Sequence, residues 1–286
     1  MNRVRQALDR PGPTIRSQLT PWLVWSNLLM AGSAAGWVLC TASVVGLPVD
    51  PAVVALAFVL TAVFYLRDRM APAEQSADRF TMPERTGWLV RHAAALRRLG
   101  RVLGTLAAVA VLLRPASLPW LLGGLGLSVS YTVKWIPRGG GRIAWKQLPA
   151  AKEVLVAALW TNLTVFVPVA VAHGSWDRRV VLTASALWCL IATQILVNDL
   201  RDVDEDRRRG TRSLPVLVGT RAARLVGCLL CGTAGFSAYL LDSPALIVVS
   251  LATLVTAVGY RREHDPRWRP WIESQGVIAA ALVVLS

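Results

Sequence analysis

Nine long apolar stretches, joined by short or strongly charged connections, constrain this chain more than any other feature of its sequence. They fall near 22–45, 51–66, 99–113, 116–133, 151–172, 179–197, 221–241, 244–260 and 270–286. A helix of about 20 apolar residues crosses the hydrocarbon of a bilayer. The second, third and last stretches are short for that purpose and leave little room for tilt. In lipid a backbone has no water to bond, so stretches of this kind must satisfy their own amides as helices. The expected fold is all-α: a polytopic membrane bundle of about nine transmembrane helices.

Charge supports that reading. A net charge of +14 on a soluble chain would point to nucleic acid. Here 54% of residues are hydrophobic and only 17% charged, and the arginines sit between the apolar stretches. The bilayer, not nucleic acid, is the partner this pattern implies. Cytoplasmic loops of membrane proteins collect Lys and Arg. Of the 31 such residues, only Arg114, Arg178 and Arg179 fall on one set of alternate connections. The rest lie in the N-terminal tail or in the loops after the second, fourth, sixth and eighth stretches. The asymmetry supports the count and orients the chain. It predicts a multi-pass protein of the cell membrane with a cytoplasmic tail (1–20), an outside C-terminus and one transmembrane domain over 1–286.

Several features need no site to explain them. Basic residues before the first stretch resemble a signal peptide, but the stretch outlasts the usual apolar region of about 7–15 residues. Its small residues, Ala31 to Gly36, let a neighbouring helix pack closely. Cys40, Cys189, Cys228 and Cys231 all lie within apolar stretches and read as small buried residues. Trp22, Trp25, Trp120, Trp135, Trp176, Trp268 and Trp271 fall near stretch ends, as interfacial anchors do. The three histidines stand apart in loops and carry no assignment.

Polar chemistry must therefore come from the basic-side loops. The first candidate begins where the sixth stretch stops, NDLRDVDEDRRRGTRSLPV over 198–216. Asp199, Asp202 and Asp206, spaced by three and four, share one face of a helix, with Asn198 beside them. Asp204 and Glu205 fall outside that face. Dense carboxylates at a span end are costly unless a cation joins them, and their hard oxygens suit Mg²⁺ held together with substrate phosphates. The competing reading is a solvated helix end whose acids pair with Arg201, Arg207 and Arg208. The loop after the second stretch offers Tyr65, Asp68, Arg69, Glu74 and Asp78. The loop after the fourth offers Tyr131 and Lys134 at its start and Lys146 and Lys152 at its end. Lysine serves phosphate as a point charge. Two acidic loops and a lysine loop on one membrane face suggest a polyanion bound through Mg²⁺, and the apolar bundle suggests that the rest of the ligand is hydrocarbon. An isoprenyl diphosphate has that shape.

Asn198-Asp199-x-x-Asp202-x-x-x-Asp206, followed by Gly210, Leu214-Pro215-Val216 and Gly219, resembles the second aspartate-rich motif of the UbiA superfamily of intramembrane prenyltransferases. Tyr65-x-x-Asp68-Arg69 falls where the first such motif belongs, and 131–134 and 146–152 resemble the family's tyrosine/lysine loop. The resemblance implies a bundle around a central cavity in which Mg²⁺ bridges two acidic motifs to a prenyl diphosphate. Transferred to this chain, Asp68, Asp199, Asp202 and Asp206 would be the catalytic metal ligands. Asn198, Arg69, Tyr131, Lys134, Lys146, Lys152 and Arg212 would grip the diphosphate. A hydrophobic or aromatic acceptor would attack the allylic cation. The chain departs from the pattern at Pro72, where the first motif expects a second aspartate, and at Ser213, where a threonine is expected. A terpene cyclase working on the diphosphate alone and a non-catalytic binding protein are the rival readings.

Overall fold

The computed structural model describes residues 21–71, 83–139, 141–261 and 265–285. A π-helical turn at Pro21–Trp25 leads to α1 (Leu28–Val45), α2 (Pro51–Arg69), α3 (Pro83–Arg91), α4 (Ala93–Leu113) and α5 (Leu118–Thr132). There follow α6 (Ala151–Thr161) and α7 (Val167–Val171), joined through a π turn at Asn162–Phe166, then α8 (Arg178–Arg209) and α9 (Leu214–Leu240). The chain closes with α10 (Pro244–Gly259), α11 (Asp265–Glu273) and α12 (Gln275–Leu285). The fold is all-α, as expected, apart from a short antiparallel hairpin of β1 (Ile136–Arg138) and β2 (Gly141–Ile143), with Ile136 opposite Ile143. Gly139 turns this hairpin at φ +51°, and Trp135 stacks on Trp145 across its base at 5.9 Å.

Within the described residues the nine apolar stretches fall largely in helix, and they differ in how far each helix could reach across a bilayer. Among the described residues five are long and apolar enough to span: Leu28–Val45, Pro51–Arg69, Ala151–Val171, Arg178–Arg208 and Leu214–Leu240. Ala93–Leu113 and Pro115–Tyr131 pass only as a pair, bent by 101°. The bend falls at Pro115, which has no N–H to carry a helical ladder across the break. The helices Pro244–Gly259 and Gln275–Leu285 are apolar but shorter. The last stretch is split by a turn at Ser274 between α11 and α12.

The outward surface is apolar, as lipid contact requires. Leu112, Leu229 and Leu285 are exposed by 80%, 72% and 84%. The core lies between α1 and α8, where Trp37, Leu187, Leu190 and Ile191 are buried together. Loops sort into two sets by contact. Asp50, in the α1–α2 loop, caps α2 by accepting the Ala52 N–H at 2.9 Å and pairs with Arg114 at the end of α4. The Arg114 hydrogen bond holds the Asp50 carboxyl below its ordinary value. Trp120 stacks on Trp176 at 5.0 Å, joining the same end to the α7–α8 loop. The loop after α8 meets the start of α6 at the site below.

Candidate metal and diphosphate site

The helix α8 has 32 residues, about 48 Å at 1.5 Å per residue. Asp177 caps its start, accepting from the Arg179 and Val180 N–H groups at 2.9 and 3.2 Å. From Arg178 to Val197 the helix rises about 30 Å, the thickness of the hydrocarbon, so Asn198 begins the part beyond it. The acidic segment is therefore a continuation of a spanning helix. Gly210 ends it at φ +70°, a left-handed conformation glycine adopts at little cost, and the Thr211 N–H bonds the Asp206 carbonyl at 2.9 Å.

The loop that follows is stapled to the start of α6. The Ala150 N–H donates to the Arg212 carbonyl at 3.1 Å. The Glu153 carboxylate accepts the Leu214 N–H at 2.5 Å, supplying the first turn of α9 with an acceptor that the Ser213 side chain does not provide. This staple sets Lys152, one residue before Glu153, against α8, where its ammonium pairs with Asp199. Asp199 is fully buried. Lys152 also lies within electrostatic reach of Asp202 and Asp206, and Tyr131 within reach of Lys152, Asp199, Glu153 and Asp206. The tyrosine/lysine loop and the acidic helix thus meet, as the sequence implies.

The acids on α8 have different surroundings. Asp199 and Asp206 are buried, and each keeps one carboxylate oxygen, Oδ2, without a hydrogen-bond partner among the described residues. A buried oxygen of this kind costs on the order of 1–3 kcal/mol, more when charged, unless something binds it. Asp202 is half-buried and forked by its neighbour Arg201 at 2.7 and 2.8 Å. Asp204 points outward and pairs with Arg207 at 3.6 Å. Asp202 and Asp204 are thus paired with neighbouring arginines, whereas Asp199 and Asp206 each keep an oxygen to spare. Among the described residues no three His, Cys, Asp or Glu side chains converge to hold a metal. Two carboxylates with free oxygens suit a hard cation that completes its shell with water and phosphate.

The other predicted residues are more scattered. Asp68 is exposed in the last turn of α2, between Arg67 and Arg69. Tyr65, one turn earlier, approaches Trp160 of α6 with ring centroids 6.4 Å apart, so α2 faces the helix that carries Lys152. Asn198 is half-buried beside Asp199, while Lys134 and Arg212 are exposed. Lys146 belongs to a 3-10 turn, Trp145–Gln147, but its side chain, like Pro72, Glu74 and Asp78, lies outside the described residues. Sequence reasoning passed over Glu153 and Arg85. Arg85, buried in the first turn of α3, is an electrostatic neighbour of Asp202. Its signal was the helix start Pro83-Glu84; Glu153 gave none beyond lying next to Lys152.

Comparison with known proteins follows the same lines. Residues 88–274 match the profile of the UbiA prenyltransferase family. Digeranylgeranylglyceryl phosphate synthase of Natronomonas pharaonis is 30% identical over 155 residues, covering 49% of this chain and 53% of that protein, so the chain spans about half the length of that curated relative. A UbiA homologue from Archaeoglobus fulgidus, solved with DMAPP and Mg²⁺, superposes with a TM-score of 0.58 at 14% identity, over 91% of this chain and 96% of the other. A UbiA homologue from Aeropyrum pernix K1, solved in the apo state, gives 0.60 at 15% identity, over 89% and 97%. At such identities the likeness establishes a shared fold.

Proposed function

The chain belongs to the UbiA prenyltransferase family, and on that premise we propose that it moves an isoprenyl group from a prenyl diphosphate to an aromatic or lipid acceptor within the membrane, using Mg²⁺. The observation that carries this reading is the pair of buried carboxylate oxygens on α8, Asp199 Oδ2 and Asp206 Oδ2, beside the Lys152 ammonium. Solved relatives of the same fold bind DMAPP or GPP with Mg²⁺, which supports the ligand class. The relative from Natronomonas pharaonis makes a glyceryl phosphate lipid by its name, which supports a lipid acceptor.

In this proposal Asp199 and Asp206 hold the metal, with Asp202 and Asp68 as further ligands. Bound Mg²⁺ supplies positive charge to the departing diphosphate. Lys152 adds a fixed charge to the same oxygens, and Tyr131 offers a hydroxyl beside it. Arg69, Lys134, Lys146, Arg212 and Asn198 complete the grip from the surrounding loops. Apolar spans exclude water, so that the allylic cation meets the acceptor first. The site opens to the cytoplasm, with the N-terminus on that face and the C-terminus outside.

The test is turnover of a panel of prenyl diphosphates by purified protein in lipid nanodiscs, with and without acceptor. Chelation is expected to abolish diphosphate release and Mg²⁺ to restore it. Losing one metal-binding carboxylate is expected to cost at least about 100-fold, since even residues that only orient ligands cost about 10–100-fold. Full turnover by Asp199→Asn or Asp202→Ala would overturn the assignment. A cyclic product formed without acceptor would move it to cyclisation.

A further inference from the structure

Outside this site the molecule has a second built recess. A groove of about 750 Å³ lies between α10 and α11, within the usual range for small-ligand sites, about 300–1,000 Å³. Its floor is Ala252, Val255 and Gly259, one face of α10. That face is the lipid side of the helix: Val255 is 62% exposed, as are Leu251 and Val258 to nearly the same degree. The walls are Trp268 and Trp271. Trp271 is fixed by donating its indole N–H to the Thr256 hydroxyl at 3.0 Å. Trp268 lies so close over Gly259 that a Cβ there would meet its ring at 3.3 Å.

The mouth carries Arg261 and Arg267, both exposed. Neither has an acidic or carbonyl partner among the described residues. The nearby carbonyls at the end of α10 are already taken: Arg224 donates to those of Ala257, Val258 and Tyr260 at 3.1, 2.8 and 2.7 Å. The C-terminal end of that helix is thereby neutralised. Among the described residues the two arginines stand unpaired above an apolar groove with indole walls.

We propose that this groove binds one anionic membrane phospholipid, an acyl chain along Ala252, Val255 and Gly259 and the phosphate between Arg261 and Arg267. Charge argues for an anionic head, since basic recesses between membrane helices select such headgroups. Exposure of the floor to lipid argues for a bilayer component in place of the prenyl diphosphate. The lining also shares no residue with the Asp199–Lys152 site. The inference stands independently of the proposed reaction.

Native mass spectrometry of the detergent-solubilised full chain tests it, with dioleoyl phosphatidylglycerol and dioleoyl phosphatidylcholine as probes. One phosphatidylglycerol is expected to stay bound under activation that strips phosphatidylcholine. Its affinity should fall roughly 30-fold in R261A/R267A, about fivefold for each arginine near a membrane surface. The exposed pair R178A/R179A, at the other end of the molecule, is expected to bind as the unaltered protein does. Val255→Trp, which fills the channel and leaves both arginines, should also release the lipid. Equal retention of both lipids, equal loss in the two arginine pairs, or retention in Val255→Trp would overturn the proposal. So would displacement of phosphatidylglycerol by inorganic diphosphate, which would make the recess a diphosphate site.

Discussion

At the scale of single residues, the pairing of Lys152 with Asp199 is the contact with most at stake. Asp199 is fully buried, and its partner comes from another helix, 47 positions away. Removing one member of a buried ion pair costs about 3–5 kcal/mol, because the other charge stays behind. Lys152→Met is therefore expected to destabilise by about 3 kcal/mol in thermal unfolding, and Lys152→Met/Asp199→Asn to recover most of that loss. An additive double variant would show that the two side chains do not sense each other. Asp199 was legible in the sequence because its spacing to Asp202 and Asp206 is helical. Glu153 was not, because its bond to the Leu214 N–H joins residues 61 apart, and no local pattern reports such a closure.

Between elements, the tightest constraint is where α1 crosses α12. A Cβ on Gly36 would overlap the Gly276 carbonyl, and one on Gly276 would overlap that of Ser33. The Ser33 hydroxyl seals the crossing, donating to the Glu273 carbonyl at 2.6 Å and accepting the Gly276 N–H at 3.1 Å. Gly36→Ala is expected to lower stability by about 1–3 kcal/mol, the usual range for overpacking. Gly32→Ala places its methyl only in ordinary contact with Val277, at 3.5 Å, and should be neutral or gain up to about 1 kcal/mol of helix propensity. Parallel melting curves in detergent compare the two, and equal losses would refute the crossing as the cause. The small residues of α1 announced close packing in the sequence, but which glycine meets a backbone depends on the partner helix. Gly219 is a further case. It breaks the α9 ladder at φ +82°, ψ 160°, backbone that only glycine adopts readily.

Across the whole molecule, two ionic ties join segments distant in sequence. Asp50 and Arg114 join α2 to the bend after α4 on the arginine-poor side, with a second bond at 3.2 Å. Because Arg114 lowers the Asp50 value from 3.8, the contact stabilises the fold at pH values above that and is lost as pH falls through the folded value. The melting temperature of the unaltered chain is therefore expected to drop more between pH 5 and pH 3 than that of Asp50→Asn. Identical pH profiles would dismiss the tie. Elsewhere Lys152, Asp199, Arg212 and Glu153 knit the start of α6 to α8 and to the loop that follows it.

The sequence by itself determined that this chain is a helical membrane bundle and which face of α8 carries the acids. These are consequences of length, hydropathy and helical period, all local quantities. It did not show where Pro115 or Ser274 divides a helix, since apolar length carries no such signal. Only the tertiary structure decided which acids keep free oxygens. Asp202 is taken by its neighbour Arg201, while Asp199 and Asp206 are buried by helices brought from elsewhere in the chain. Burial and partnership are properties of the assembled bundle, and they separate carboxylates that their spacing alone makes equivalent.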